Sequence, residues 1–218
     1  MQDFGYSRFI REQIDNFDHN TPIVNNNIAA EMARKFSIES RYAQRIVNQN
    51  MKRLADQDVI THFAKGVYYK PVMTPFGKSV LNKQEYYYKA LTCPKDEHIG
   101  YEGSPSVLNT VGLTTVMTVK KNIVTNLYRK VIPDNINIII EKPRTTINEQ
   151  NYRYLQLADI IISLKRYPVD ADEPRKVIDR FVLRFGIDVL KLIAYAKKYY
   201  TESETKTIID YLVEGINV

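Results

Sequence analysis

The sequence contains a single cysteine, only three histidines and no long apolar run. Cys93 has no second cysteine for an internal disulfide or a cysteine-based zinc site, and no histidine stands close enough in sequence to activate it. No stretch approaches the ~18 consecutive apolar residues of a membrane span. The first five residues lack the basic and apolar regions of a secretory signal. These absences predict a reduced, cytoplasmic protein with an inert thiol and no membrane partner.

The composition is that of a folded protein with an unevenly placed positive charge. Of 218 residues, 44% are hydrophobic and 26% are charged, which is ordinary for a globular chain. At ~100–200 residues per domain, this length allows one large domain or two small ones, and we divide the chain into residues 1–75 and 76–218. Most of the formal charge of +6 comes from residues 34–70, which hold eight basic and three acidic residues. A localised basic excess favours one face for a polyanion.

Three helical patterns precede a hairpin pattern in the first 75 residues. Apolar residues recur at helical spacing over residues 7–17, 28–33 and 40–55. Ser37 or Ser40 is expected to cap the third helix. Residues 58–71 then form two β runs around a turn that contains Lys65 and Gly66. In these runs we expect Ile60 and Phe63 in the core, Tyr68 and Tyr69 packed on the strand, and His62 exposed.

The third helix is predicted to be two-faced. Its apolar side combines Ala43, Ile46, Val47, Asn50 and Leu54. Arginine, lysine and amide side chains, which hydrogen-bond base edges and phosphates, occupy the opposite side. Helix, helix, basic helix and hairpin is the order of a winged helix-turn-helix, in which the third helix enters the major groove. We therefore predict that residues 1–75 bind double-stranded operator DNA through Arg41, Gln44, Arg45, Asn48, Gln49 and Lys52 in the groove and Lys65 on the flanking backbone. The alternative is an ordinary solvated helix face.

The middle of the chain is predicted to mix helix and strand. A tyrosine-rich helix is expected over residues 82–91, with its tyrosines used in packing. Ser104 and Pro105 are expected to start a short helix that Gly112 ends. Residues 116–119 and 122–126 are predicted to pair as a hairpin. The isoleucine-rich residues 135–141 predict a strand buried on both faces.

Several short motifs in this region resemble those of a known family. They are Gly100-Tyr101 followed by Gly103, then Leu108, then Gly112-Leu113-Thr114-Thr115 and Val124-Thr125, with Gly66-Val67-Tyr68-Tyr69-Lys70-Pro71 upstream. In this order and spacing the chain resembles the AbiEi-like antitoxins of type IV toxin–antitoxin systems over roughly residues 5–165. The resemblance implies an N-terminal DNA-binding domain that represses its own operon and a C-terminal α/β domain needed for antitoxin activity. It also implies a nucleotidyltransferase-like toxin as functional partner, with no direct contact required.

The last third of the sequence is predicted to be helical. Residues 151–164 are strongly apolar and should form a buried helix. An acidic loop with Asp170, Asp172 and Glu173 separates it from three amphipathic stripes near residues 177–185, 189–196 and 208–213. Basic residues line the other side of the first of these helices, as an ordinary solvated face or as a contact for an acidic partner or DNA: Arg175, Lys176, Arg180 and Arg184.

An enzyme remains the weakest of the interpretations. A nuclease that uses Glu-x-Lys on a strand needs both side chains on one face, but Glu141 and Lys142 are adjacent and should point to opposite faces. The Asp96-Glu97-His98 loop should be solvated, and Asp170-x-Asp172-Glu173 lacks the glycine and ligand spacing of a calcium loop. A glycine-rich phosphate loop at Gly112 lacks the following Lys-Ser/Thr.

The sequence thus predicts an α+β protein with an N-terminal winged helix-turn-helix, a mixed α/β domain and a helical C-terminal region. We expect no enzyme activity, no cofactor and no metal. The expected function is that of a DNA-binding autorepressor that acts as an antitoxin. The alternatives are a stand-alone winged-helix regulator with a partner- or ligand-sensing domain and, less favoured, a DNA-processing nuclease.

Overall fold

The computed structural model of the protein describes residues 3–214. The chain mixes helices and short strands, ends in a helical region, and divides into two compact units, Met1–Asn82 and Lys83–Val218. The predicted boundary at residues 75 and 76 falls at the tip of a small hairpin whose two strands both belong to the first unit. None of the helices in the described part of the chain has the length and apolar character needed to span a lipid bilayer.

The first unit contains three helices and a small antiparallel sheet. The helices are α1 (Asp3–Asp15), α2 (Asn25–Phe36) and α3 (Ser40–Asp56), and the strands are β1 (Ile23–Val24), β2 (Thr61–Ala64) and β3 (Val67–Tyr69). The sheet has the order β1-β3-β2, because Ile23 pairs with Tyr68 and His62 pairs with Tyr68 from the other side. A second hairpin of β4 (Met73–Thr74) and β5 (Gly77–Lys78) follows.

The apolar stripes predicted for the three helices form the core of the first unit. Ile10, Met32, Ala43 and Val47 are fully enclosed, together with Leu54. Ile60, Phe63, Tyr68 and Tyr69 are buried and His62 is exposed, as the sequence indicated. Burial of such aliphatic side chains contributes about 1.5–3 kcal/mol each. Because this burial directs the apolar side of each helix into the core, helix periodicity was enough to locate these elements.

The expected cap of α3 is wrong. Ser37 instead ends α2 in the left-handed conformation, with φ 51°, and Ser40 already lies inside α3. Glu39 occupies the capping position without a side-chain hydrogen bond to the helix. The connection between α2 and α3 is therefore a turn of three residues, shorter than a serine cap at residue 40 would give.

The second unit is built on a three-stranded mixed sheet. Strand β7 (Lys121–Thr125) lies in the centre, antiparallel to β6 (Gly100–Glu102) and parallel to β8 (Ile138–Glu141). Helix α4 (Lys83–Thr92) covers one face, where Tyr87 and Leu91 pack on Ile123. The other face packs Val124 against α5 (Ser106–Val111) and α6 (Tyr152–Ser163). Helices α7 (Pro174–Phe185), α8 (Val189–Tyr199) and α9 (Glu202–Glu214) complete the helical region.

Two predictions about strands are wrong. Residues 116–119 form no strand, and Met117 and Val119 are more than 80% exposed, so β7 pairs with β6 and β8 instead of a hairpin partner. Strand β8 lies at the edge of the sheet and is not buried on both faces, because Ile138 is buried while Ile139 is 44% exposed. The isoleucine run alternates between core and solvent as in any edge strand.

The glycines at 100 and 103 of the family-like motif have a packing reason. A Cβ at Gly100 would lie 2.4 Å from the carbonyl oxygen of Leu91, and one at Gly103 would lie 2.9 Å from Val124 Cγ2. Gly112 ends α5 with φ 85°, as predicted, but Pro105 rather than Ser104 occupies the position before the first helical residue. Gly100 and Gly103 therefore allow close packing of β6 against its neighbours.

In the C-terminal region the buried helix is confirmed, and one stripe is partly wrong. Most of α6 is enclosed, including Leu157, Ala158 and Ile160. The stripe predicted for α8 consisted of Val189, Leu190, Ile193 and Ala196. In the structure, however, Leu190 is 79% exposed, and Leu192, which is outside that stripe, is fully buried. The apolar pattern of α8 is nearly continuous, so periodicity alone left the buried side of this helix ambiguous.

Candidate nucleic-acid interface

Helix α3 directs one side into the core and leaves the opposite side open to solvent. Ala43, Val47 and Leu54 are among its buried residues. Arg41, Arg45, Asn48, Gln49 and Lys52 are exposed, and Gln44 is half-buried between them. From Arg41 to Lys52 this surface runs along three helical turns, or about 16 Å at 1.5 Å per residue. We call these six residues the α3 face.

The first turns of the α3 face contain its two arginines, Arg41 and Arg45. The guanidinium carbon of Arg45 lies 5.4 Å from the ring centroid of Tyr42, which is itself 41% exposed. Arg41, Tyr42 and Arg45 line a shallow depression of about 520 Å³ together with Ile38 and Glu39. The stacking on Tyr42 limits the conformational freedom that Arg45 would lose on binding an anion. Glu39 adds a single acidic group to this depression.

A chain of amide hydrogen bonds fixes the middle of the α3 face. Asn48 Oδ1 accepts hydrogen bonds from Asn25 Nδ2 at 2.8 Å and from Gln44 Nε2 at 3.0 Å. Asn25 is buried at the start of α2, and its backbone N–H donates to the carbonyl oxygen of Gly66 in the β2–β3 turn. Both of these hydrogen bonds use Asn48 Oδ1. The amide nitrogen of Asn48 therefore remains available as a donor, because it has no partner among residues 3–214. A donor held in one orientation suits hydrogen bonding to a base edge or a phosphate.

Sequence reasoning missed the role of Asn25. Its partner Asn48 is 23 residues away, and helical or strand periodicity does not connect positions that far apart. The only sequence signal was the run of asparagines at 25–27, which indicated a helix start. Tyr42, three residues before Arg45, carried a clearer signal, because side chains at that spacing are neighbours on a helix.

The turn between β2 and β3 places a further cation beside this network. Gly66 adopts φ 70°, a conformation that favours glycine, and Lys65 stands exposed at the turn. The backbone hydrogen bond from Asn25 to Gly66 connects this turn to the start of α2, and the side chain of the same Asn25 donates to Asn48 in α3. Lys65 and the α3 face thus belong to one hydrogen-bonded assembly within the first unit.

The carboxylate and histidine candidates of the second unit are engaged with other side chains. Glu141 accepts a hydrogen bond from the Asn122 amide, whereas the Lys142 ammonium lies 5.7 Å from the ring centroid of Tyr128. His98, expected to be solvated, stacks on Tyr152 at 3.9 Å and lies 2.8 Å from Glu149 Oε1. Across residues 3–214 the structure brings together no three histidine, cysteine, aspartate or glutamate side chains that could hold a metal ion.

Asp159 is the centre of a partly buried polar network in the second unit. The hydroxyl groups of Tyr101 and Tyr200 donate to its carboxylate at 2.7 and 2.9 Å, and Arg144 Nε lies 3.7 Å away. Burial is the largest effect on this carboxyl group and raises its pKa, although the two hydroxyls and Arg144 act in the opposite direction. Burial and then the Asp159 charge raise the pKa of both tyrosines well above the usual 10.0. The network joins β6, α6 and the end of α8.

Arg144 connects Asp159 to Glu204. Its guanidinium donates two hydrogen bonds to Glu204, at 3.1 and 2.8 Å, and stacks over Tyr200 with a centroid distance of 4.2 Å. Burial alone would raise the pKa of Glu204, but hydrogen bonds from Arg144 and Thr201 outweigh burial and lower it. Each of these groups has its charge or hydrogen bonds satisfied by another, which is typical of a structural network.

Cys93 lies half-buried at the end of α4. Burial, followed by the negative charges of Glu149 and Asp96, raises the pKa of its thiol. A raised pKa keeps the sulfur protonated and weakly nucleophilic at neutral pH.

The charged loop and helix near residue 175 separate into paired and open groups. Asp170 accepts hydrogen bonds from the backbone and hydroxyl of Thr115, Arg175 pairs with Asp179, and Lys176 pairs with Glu173. Arg180 and Arg184 extend from the same helix into a cavity of the second unit.

The chain matches no protein-family model and no curated protein.

Proposed function

We propose that the protein is a DNA-binding transcriptional repressor of its own operon and the antitoxin of a type IV toxin–antitoxin system. The DNA-binding part of this proposal is carried by the α3 face, an exposed basic and amide surface about 16 Å long on one helix. The antitoxin part is supported by the resemblance to the antitoxin family. Most of the motifs that carry this resemblance lie in residues 100–125, which belong to the second unit. The functional toxin is a nucleotidyltransferase-like protein that need not contact this chain.

In this proposal the first unit is a winged helix-turn-helix. Helices α2 and α3 with the turn at residues 37–39 are the helix-turn-helix, and the β2–β3 hairpin is the wing. Strand β1, which the sequence did not predict, supports this assignment because it joins the start of α2 to the inner strand of the hairpin. Helix α3 enters the major groove, where Arg41, Arg45 and Asn48 reach base edges. Lys65 contacts the flanking phosphates.

Operator binding tests the α3 face. The probe is the DNA upstream of the gene that encodes the protein, in an electrophoretic mobility shift. Arg45→Ala and Lys52→Ala should each weaken binding by about 10-fold, because a good base or phosphate contact is worth about 1–3 kcal/mol. Lys65→Ala should weaken binding to all sequences alike and reduce the slope of log affinity against log salt by about 1.

Arg11→Ala provides the matched control for these variants. Arg11 is an exposed cation on α1 and lies outside the α3 face. Its removal lowers the net charge by the same amount and should leave the affinity unchanged. Unchanged affinity in both Arg45→Ala and Lys52→Ala would refute the assigned surface.

A further inference from the structure

The second unit contains a cavity of about 650 Å³ that the proposed function does not use. Strand β6 and helices α4 to α7 supply its lining. Its volume lies within the range of small-molecule sites in proteins, about 300–1,000 Å³. Its walls combine cations, aromatic rings and buried polar groups, and each of these constrains what could bind.

The cations are three guanidinium groups. Arg180 and Arg184 are exposed on successive turns of α7, and Arg153 approaches from α6. Arg153 is held in place by stacking 3.8 Å from the Phe185 ring centroid and by a hydrogen bond of 2.7 Å to Gln156 Oε1. Its Nε is buried without a hydrogen-bond partner among the described residues. Converging guanidinium groups with unused donors suit a phosphate group.

The aromatic side chains provide a surface for a flat ring. The ring centroids of Phe181 and Phe185 on α7 lie 4.7 Å apart with the rings inclined at 60°, and Phe181 is buried. The half-buried rings are those of Phe185 and of Tyr88, which lines the cavity from α4. Flat aromatic and heteroaromatic rings bind to such side chains by stacking, with about 1–3 kcal/mol for a nucleic-acid base.

A buried carboxylate completes the cavity. Glu102 is 3% exposed, and its Oε1 accepts a hydrogen bond from Thr110 and lies 3.6 Å from the ammonium of Lys121. Its backbone oxygen accepts a hydrogen bond from Gln156, which is also buried. An ionised carboxylate accepts hydrogen bonds only, so a ligand group facing Glu102 must donate. An exocyclic amino group on a base meets this requirement.

We propose that this cavity binds a nucleoside monophosphate whose base carries an exocyclic amino group. The phosphate binds Arg153, Arg180 and Arg184, the base stacks on the half-buried rings of Tyr88 and Phe185, and the amino group donates to Glu102. This site is independent of DNA binding by the first unit, since every residue it uses belongs to the second.

Isothermal titration of the full chain with adenosine monophosphate tests the site. Binding should be saturable and at least 10-fold tighter than for adenosine, which lacks the phosphate, or ribose 5-phosphate, which lacks the base. Inosine monophosphate, in which an oxygen replaces the amino group, should also bind more weakly. Absence of saturable binding, or equal binding of inosine monophosphate, would overturn the proposal.

Variants of exposed residues keep the test independent of folding. Arg180→Gln combined with Arg184→Gln should weaken adenosine monophosphate binding at least 10-fold, because both side chains are exposed and their loss leaves the core intact. The matched control, Lys197→Gln with Lys198→Gln, removes two exposed cations from α8 and should bind as the parent does. Equal affinities of the two double variants would contradict the assigned phosphate site. Glu102→Gln should reduce the preference of the site for adenosine monophosphate over inosine monophosphate.

Discussion

At the scale of single residues, Asp159 is a carboxylate held by three side chains of the second unit. Its carboxylate receives hydrogen bonds from Tyr101 and Tyr200, and Arg144 lies beside it. Burial nevertheless raises its pKa above the ordinary 3.8. The folded state therefore holds the proton of Asp159 more tightly than the unfolded chain does. Stability from this residue is present below the unfolded pKa and is lost as the pH rises through the folded pKa.

Asp159→Asn should make this loss visible. Asparagine does not titrate, so the difference in the free energy of unfolding, parent minus Asp159→Asn, should be larger at pH 3.5 than at pH 7. The parent is thus expected to be relatively more stable at the lower pH. Urea denaturation of both proteins at the two pH values measures this difference, and shared effects such as acid titration of Glu204 cancel. A relative stability that increases toward pH 7 would mean that the tyrosine and arginine partners outweigh burial.

At the scale of elements, the contact between α2 and α3 determines how the α3 face is presented. Asn25, the first residue of α2, donates to Asn48 in α3 and to the β2–β3 turn through its backbone. Its own Oδ1 is buried without a hydrogen-bond partner among residues 3–214. Asn25 thus orients Asn48 while contributing little to stability, because an unpaired buried oxygen offsets about one hydrogen bond.

Asn25→Ala should separate these two effects. Operator affinity is expected to fall about five-fold, which corresponds to about 1 kcal/mol, because Asn48 loses one of the two donors that fix its side chain. The free energy of unfolding should change by less than about 1 kcal/mol. Fluorescence anisotropy with operator DNA and thermal denaturation measure the two quantities. Asn26→Ala, an exposed neighbour, should change neither, and a large loss of stability with unchanged affinity would assign Asn25 a purely structural role.

The elements also mark how far the sequence alone could lead. Helix periodicity correctly placed α2 and α3, since one side of each packs into a core and leaves a repeating signal. The nearly continuous apolar sequence of α6 correctly predicted a buried helix. Strand pairing was harder to predict, because β7 pairs with residues 23 positions earlier and 17 positions later in the chain, in the registers Tyr101–Val124 and Lys121–Ile138. The exposed residues of the α3 face followed from spacing, whereas the support from Asn25 depended on a tertiary contact. The cavity around Arg153 likewise draws on several elements that only the fold brings together.

At the scale of the whole molecule, each unit encloses its own apolar core. The core of the first unit uses side chains no later in the chain than Tyr68, and the two clusters of the second begin at Tyr86. The basic α3 face belongs entirely to the first unit, while the motifs at residues 100–115 and the nucleotide cavity belong entirely to the second. This separation predicts that the two proposed activities can be divided by cutting the chain after Asn82.

Residues 83–218 expressed alone should protect cells from the neighbouring nucleotidyltransferase-like toxin and should not bind the operator. Residues 1–82 should show the reverse, because the α3 face and its support from Asn25 remain complete. Growth during toxin expression measures protection, and mobility shift measures DNA binding.

Cooperative thermal unfolding of each fragment establishes that it is folded before either activity is scored. A domain that closes its own core should unfold in a single transition. If residues 83–218 unfold cooperatively and still give no protection, while the full chain protects, antitoxicity requires the DNA-binding unit and the assignment of that function to the second unit is wrong. The full chain provides a second test of this outcome. If protection depends on the α3 face, Arg45→Ala in the full chain should weaken repression and protection together.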